Sequence, residues 1–424
     1  MRPYHALRHS DFRRLWASQL VSLTGSQMQV AAIDWHVYLL TRSPLALGLV
    51  GLARVVPIVS LSLWGGVAAD RYDRRKIMMI TQSTMTVVAA TLAVLTLAGR
   101  EPLWGLYALT AVTSAAGSFD NPARQALIPR LVPRENLPGA LAMNLTMFHA
   151  GMIGGPALAG VFIAMAGEGT RGLGWIYLAN AGSFLGVLGA LLSMRASGAV
   201  EAPPEGHAHP FAQVREGLRF VFTTPVMVWT MALDFAATFF AGANSLLPIF
   251  ADQILGVGAL GFGWLRAAPA LGALVGSVYT SLRPLPRRQG RVLLWAVAAY
   301  GLATVVFGVS RSYLLTFAAL AITGIADLVS TVVRQVLRQM LTPDDMRGRM
   351  TSVNMIFFMG GPQLGELEAG LVAALFASAA VGATVSVVSG GLGTLLVTGL
   401  VAWKSRVVRD YVQEELASTG REVT

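Results

Sequence analysis

The sequence contains no cysteine, which excludes a disulfide framework, a cysteine-ligated zinc site and a thiol nucleophile. Charge is scarce too. Asp, Glu, Lys and Arg make up 13% of the 424 residues, about half the ~25% usual in soluble domains. Lysine occurs only at Lys76 and Lys404, so the cations are nearly all arginine. A His-Glu-x-x-His helix, a Gly-x-Ser-x-Gly elbow and a phosphate-cradling glycine loop are all missing, which leaves a hydrolase or nucleotide enzyme without support. The chain reads as a non-enzyme that needs no cofactor.

What is present is apolar. Hydrophobic residues make up 54% of the chain, and 45 glycines allow close helix approach. The charges cluster between apolar runs of about 20 residues, the length of a membrane-spanning helix. Twelve such runs are predicted at 13–39, 45–69, 77–98, 103–120, 138–166, 174–194, 226–250, 258–281, 291–310, 312–333, 351–377 and 380–403. Residues 1–11 are basic and polar, and the first run is too long and too polar inside for a cleaved signal, so it reads as a retained first helix.

Net charge is +10, but the cations are spread over many loops, which argues against nucleic acid and for the anionic cytoplasmic leaflet. The N-terminus, the loops after even-numbered segments and the tail hold 26 of the 32 Lys and Arg. The opposite loops hold Arg42, Arg100, Arg171 and Arg311, and Arg54 and Arg266 fall inside segments. The positive-inside rule therefore predicts cytoplasmic termini.

The longest polar connection, 195–225, contains the Pro/Gly-punctuated EAPPEGHAHP and reads as a cytoplasmic linker. His207 and His209 there lack a third ligand, so a solvated linker is favoured over a metal site. The segments on either side repeat each other. Gly51, Arg54, Pro57, Arg71, Arg75 and Lys76 return 212 positions later as Gly263, Arg266, Pro269, Arg283, Arg287 and Arg288. Arg124-Gln125, Leu131, Pro133 and Asn144 return 210 positions later as Arg334-Gln335, Leu341, Pro343 and Asn354, and Gly154-Gly155-Pro156 returns as Gly360-Gly361-Pro362. This is the parallel-repeat plan of a rocking transporter. It predicts an all-α polytopic membrane protein of twelve transmembrane helices in two pseudo-symmetric six-helix bundles. The expected division is a first bundle over 1–194, a linker over 195–225, a second bundle over 226–404 and a cytoplasmic tail over 405–424.

The stretch between segments 2 and 3 reads GGVAADRYDRRK. Its Gly66, Asp70, Arg71, Arg74 and Arg75 resemble the loop signature Gly-x-x-x-Asp-Arg-x-Gly-Arg-Arg of the major facilitator superfamily, with Asp73 at the second glycine. Segment count, repeat and linker resemble that family over essentially the whole chain. The loop and the pattern from Phe119 to Pro133 are most similar to its enterobactin (siderophore) and multidrug exporter branch. Gly66 would permit close approach of another helix, Asp70 would face the N-terminus of segment 11, and the cations would pair across the halves as a cytoplasmic gate. The plainer alternative is that they only anchor topology. Gly151, Gly155, Pro156 and Gly160 resemble the family's antiporter motif, with Ala142 and Ala159 at two of its glycines. Ordinary small-residue packing is the alternative.

Charges inside the apolar segments are costly and mark candidate functional residues. Thr24, Gln27, Ala31, Asp34 and Tyr38 share one face of segment 1. Asp34 and Arg54 lie at similar depth on antiparallel neighbours, so an ion pair is expected. Asp234, Arg266, Asp327, Glu366 and Glu368 are the other intramembrane charges. Glu366 and Glu368, two residues apart, point to opposite sides of one helix, so at most one can face a shared cavity. One or more of Asp34, Asp234, Glu366 and Glu368 is expected to exchange a proton beside Arg54 or Arg266, and structural ion pairing is the alternative. His36 and His149 are read as packed polar residues or proton relays. Trp35 and Trp175 are read as interfacial anchors, and Trp229, Trp264 and Phe239-Phe240 as packing or cavity residues.

The reading is a secondary transporter of the inner or plasma membrane, acting as a monomer by alternating access. It would export a siderophore or amphipathic drug with the proton gradient as energy source. An importer or flippase of the same fold, for lysophospholipids or solutes, is the alternative. A transport-dead sensor or a membrane enzyme ranks lower.

Overall fold

The computed structural model describes residues 3–167, 169–199, 219, 221–282, 288–342 and 347–409. Most of the linker, with His207 and His209, lies outside the described residues, as do Arg283, Arg287, Pro343 and the tail from 410.

The apolar runs are helices. In the first half these are α1 (Ser10–Thr41), α2 (Pro44–Arg71), α3 (Arg74–Leu97), α4 (Leu103–Leu127), α5 (Leu137–Ala166) and α6 (Arg171–Ser193). In the second half, α7 (Pro225–Phe240) is extended by short turns to Ile254. Then follow α8 (Gly258–Leu282), α9 (Gln289–Val309), α10 (Tyr313–Leu341), α11 (Arg347–Ala374) and α12 (Ala379–Lys404). Among the described residues nine spans are long and apolar enough to cross a membrane. The remaining long helices are α1, α4 and α11.

Local chemistry sets the turns. Helix α1 ends at Arg42 in the left-handed region (φ 51°), with its N–H on the Tyr38 carbonyl. Ser43 then caps α2 by accepting from the Ala46 N–H, with Pro44 in the first turn. Asp73 caps α3, its carboxylate accepting from the N–H groups of Arg75 at 2.9 Å and Lys76 at 3.3 Å. The family glycine is thus replaced by a cap.

Helices run further than the apolar pattern suggested. Helix α4 continues to Leu127 and α10 to Leu341, so Arg124 and Arg334, counted above as loop cations, are helical. Both arginines find polar partners inside their own half, which is what allows an arginine into a packed helix.

The apolar core shows how the halves meet. One cluster draws on both halves and includes Trp35, Leu47, Tyr177, Phe250, Phe262 and Ala369, around the α1–α2 turn. Toward the opposite, cation-rich face the core divides. Phe12, Met78, Leu127 and Leu191 belong to a first-half cluster, and Leu233, Leu293, Val333 and Val401 to a second-half cluster. The halves are fused at one face and separately packed at the other.

Glycine contacts along α2 and α11 trace the same divergence. A Cβ on Gly48 would lie 3.0 Å from the Gly370 Cα, and one on Gly51 would lie 2.6 Å from the Gln363 carbonyl oxygen. Further along, among the described residues, a Cβ on Gly360 would meet only Val59, at 3.9 Å, and one on Gly66 would meet nothing within 4 Å. The related contact joins α5 to α8, where a Cβ on Gly160 would lie 2.9 Å from the Gly263 Cα. The repeat pairs Gly51 with Gly263 and, in the register that pairs Pro156 with Pro362, Gly160 with Glu366, so the Gly51–Glu366 and Gly263–Gly160 contacts use equivalent positions.

Candidate functional site

At the fused face lies a buried chain of four charges. Arg54 of α2 donates to Asp34 Oδ1 of α1 at 2.8 Å and to Glu366 Oε2 of α11 at 3.4 Å. The other Asp34 oxygen is ion-paired with Arg266 of α8 at 2.6 Å. Asp34 is 1% exposed, Glu366 5% and Arg54 7%. The order Glu366–Arg54–Asp34–Arg266 crosses between the halves twice, and two carboxylates balance two guanidinium groups. Glycine makes this geometry possible, since Gly51, one turn before Arg54, lets the α11 backbone come close enough for Glu366 to reach the guanidinium.

A second cross-half contact lies nearer the surface. Arg42 is ion-paired with Asp252, whose carboxylate also accepts from the Tyr38 hydroxyl at 2.5 Å. Gln253 donates to the same hydroxyl at 3.1 Å. Partial burial disfavours the charged Arg42 guanidinium, but its contacts with Tyr38 and Asp252 outweigh this and raise its pKa above the ordinary arginine value.

Of the other charges singled out from sequence, Asp234 pairs with Arg334 of α10, apart from the four-residue chain. In the first half the repeat partner Arg124 instead donates to Gln19 at 3.0 Å and Asn121 at 2.6 Å. Glu368, two residues on, points away from Glu366, and its buried Oε2 has no hydrogen-bond partner among the described residues. Asp327 makes no ion pair or hydrogen bond with the described residues. Gln27 lies against α5, its amide on Met152 and its Cβ beside Gly155.

Among the described residues the expected gate contacts are not made. Asp70 and Arg71 are exposed and make no hydrogen bond or ion pair with the described residues. Arg74 donates to the Ala69 carbonyl at 3.1 Å and Arg75 to the Leu192 carbonyl at 3.2 Å, both within the first half. Close helix approach falls to Gly65, which touches Ser118 of α4, while Gly66 has no described residue within 4 Å of a Cβ. The neighbouring position is rotated by about 100° on a helix.

In the antiporter-like motif, Gly151 packs on Leu23 and Gly155 on Thr24 and Gln27 of α1, while Pro156 and Gly160 meet Gly263 of α8. Trp35 is 6% exposed and packs on Phe262 at 5.1 Å between ring centroids, so it is a cross-half core residue and not an interfacial anchor. Trp175, 62% exposed, fits the anchor reading. His36 is fully buried, 3.1 Å from the Tyr177 hydroxyl and 3.6 Å from Glu101, a partner the pattern reading missed because Glu101 lies in a loop.

The family model described as Transmembrane secretion effector matches residues 1–420. The chain belongs to this family of major facilitator transporters. It is 28% identical over 391 residues to the enterobactin exporter EntS of Shigella boydii serotype 18, covering 92% of this chain and 90% of that protein. The same values hold for EntS of Escherichia coli O139:H28. Among solved structures, a bacterial homologue of the human lysosomal transporter spinster, inward-facing and unoccupied, superposes with a TM-score of 0.74 at 15% identity, over 96% of this chain and 98% of that one. A bacterial homologue of the iron transporter ferroportin, inward-facing, gives 0.68 at 16% identity, over 93% and 99%. These relatives and neighbours are transporters and not enzymes.

Proposed function

We propose that the protein is a proton-coupled exporter of small molecules, a siderophore or an amphipathic drug, working by alternating access. In this reading twelve helices cross the inner membrane as two six-helix bundles joined by the 195–225 linker, the termini are cytoplasmic, and the chain acts as a monomer without a cofactor. The observation that carries it is the neutral chain Glu366–Arg54–Asp34–Arg266 spanning both halves.

The chain links proton binding to conformation. With the halves fused at this face, both carboxylates meet arginines and the ionised forms are satisfied. Separating the halves parts Asp34 from Arg266 and Glu366 from Arg54. Asp34 keeps Arg54 of its own half, whereas Glu366 loses its arginine. An unpartnered carboxylate in the membrane costs several kcal/mol, so the parted Glu366 favours taking up a proton from the newly opened side. Closing this face again restores the arginines and favours releasing that proton toward the cation-rich side. Cargo moving outward while protons move inward makes the cycle an antiport. The similarity to enterobactin exporters supports the export direction and the siderophore class.

Efflux into inside-out vesicles tests this, with enterobactin and a cationic dye as cargoes. Accumulation that a protonophore abolishes, and that Asp34→Asn or Glu366→Gln uncouples from the gradient, is the expected result. Gradient-driven accumulation undiminished in both variants would remove the charge chain from the coupling mechanism.

A further inference from the structure

Helices α9 and α10 enclose a groove of ≈ 600 Å³ on the outer surface of the second half. Arg288 and Arg291 stand at one end, and the rest of the lining is apolar, including Trp295, Ala299, Ile322 and Val329. Trp295 is 75% exposed and Ile322 47%. Neither arginine has an ion-pair partner among the described residues. From Arg288 to Ala299 the helix rises about 16 Å, which is about half of a ~30 Å hydrocarbon core and so the depth of one leaflet.

We infer that this groove is a selective site for an anionic phospholipid of the leaflet bordering the cation-rich face, its phosphate held by Arg288 and Arg291 and one acyl chain lying along Trp295. Two features separate such a site from ordinary lipid contact. The cations sit as a pair, one helical turn apart, directly over an apolar channel of acyl-chain length. They are also peculiar to the second half, because the positions 212 earlier are Lys76, Met79 and Ser83, with one cation and no tryptophan. Arginine suits the role because its planar fork meets phosphate oxygens with two N–H groups at once. Occupancy would tie α9 to α10 at the end where the halves are separately packed. The inference rests on the membrane reading and is independent of cargo and proton coupling.

Tryptophan quenching in reconstituted vesicles tests it. Dibrominated phosphatidylglycerol and dibrominated phosphatidylcholine are compared as quenchers at a fixed total anionic fraction, and the Trp295 signal is taken as the difference from Trp295→Phe. The expected result is a several-fold preference for the brominated phosphatidylglycerol, falling to no preference in the Arg288→Gln/Arg291→Gln variant. Arg311→Gln, at the opposite face, should keep the preference. Equal quenching by the two lipids, or a preference that survives the double substitution, would overturn the proposal and leave only annular lipid in the groove.

Discussion

Gly48 of α2 and Gly370 of α11 touch backbone to backbone, so that a Cβ on Gly370 would lie 2.7 Å from the Gly48 Cα and 2.7 Å from the Pro44 carbonyl oxygen. Neither contact can yield by a side-chain rotation, because both partners are main chain. The same face holds the buried charge chain, so a side chain at Gly370 attacks the apolar seam and the ion pairs together. Gly370→Val should shift the transporter away from this closed face. The natural lack of cysteine makes the measurement direct: Arg42→Cys and Asp252→Cys, which replace an ion pair across the seam, can be joined by a short bifunctional maleimide. The yield should fall about tenfold with Gly370→Val, the ratio that ~1.4 kcal/mol produces. An unchanged yield would mean the seam tolerates separation of these helices.

Arg266 supplies the second contact on Asp34. Arg266→Gln leaves a nearly fully buried carboxylate with one arginine in place of two, and removing one partner of a buried pair costs about 3–5 kcal/mol. Thermal melts in detergent should show a clear loss for Arg266→Gln and partial recovery when Asp34→Asn is added, since the added change removes the uncompensated charge. A double-mutant cycle with zero coupling would place Arg266 outside the network.

Much of this arrangement was legible before any coordinates. Asp34 and Arg54 could be matched in depth because both were counted from the same turn, and the repeat marked Arg54 and Arg266 as equivalent. The partnership of Arg266 with Asp34 was not legible, because it depends on how the halves dock and no local period encodes that. Glu366 and Glu368 could be assigned to opposite sides of a helix but not ranked, since the deciding contact is the α11 backbone against Gly51. Trp35 misled because an aromatic near a segment end has the same pattern in a lipid interface and in a cross-half core. Arg334 was missed for a plainer reason: a cation just past an apolar run looks like a loop, and its repeat partner Arg124 sits past the end of its own run in the same way.

Arg334 and Asp234 form their own pair, and both are largely buried. Asp234→Asn should therefore lower stability and transport, whereas the exchange Asp234→Arg/Arg334→Asp should recover a substantial part of both. In the first half the equivalent arginine relies on neutral Gln19 and Asn121, so Gln19→Ala should cost less than Asp234→Asn. Thermal stability across the three variants checks the order, and failure of the exchange to rescue would count against a structural ion pair.

Asp73 explains one departure from the family pattern. Its carboxylate caps α3 through the Arg75 and Lys76 N–H groups. Asp73→Ala should cost about 1 kcal/mol, and Asp73→Gly only a few tenths. Hydrogen exchange at the Arg75 and Lys76 amides should speed up about fivefold in the alanine variant if the first turn opens locally. Unchanged exchange would show that the cap is redundant.

Gly66 distinguishes a folding role from a cycling role. Among the described residues nothing lies within 4 Å of a Cβ at this position, so Gly66→Leu has room beside them and should leave stability within about 0.5 kcal/mol, the usual range for a surface change away from special features. If alternating access brings the cation-rich face together, the same side chain then obstructs the approach of another helix, and Asp70 comes into position to meet its partners. Gly66→Leu should accordingly keep its melting temperature and its affinity for cargo while turnover falls by at least about tenfold, a barrier of ~1.4 kcal/mol. Asp70→Asn should behave likewise through a different loss, that of charge and not of space. Binding measured by cargo fluorescence and turnover measured in inside-out vesicles separate the two quantities. A Gly66→Leu protein that transports normally would mean that this face never closes around the loop, and the charge chain at the opposite face would be the only gate.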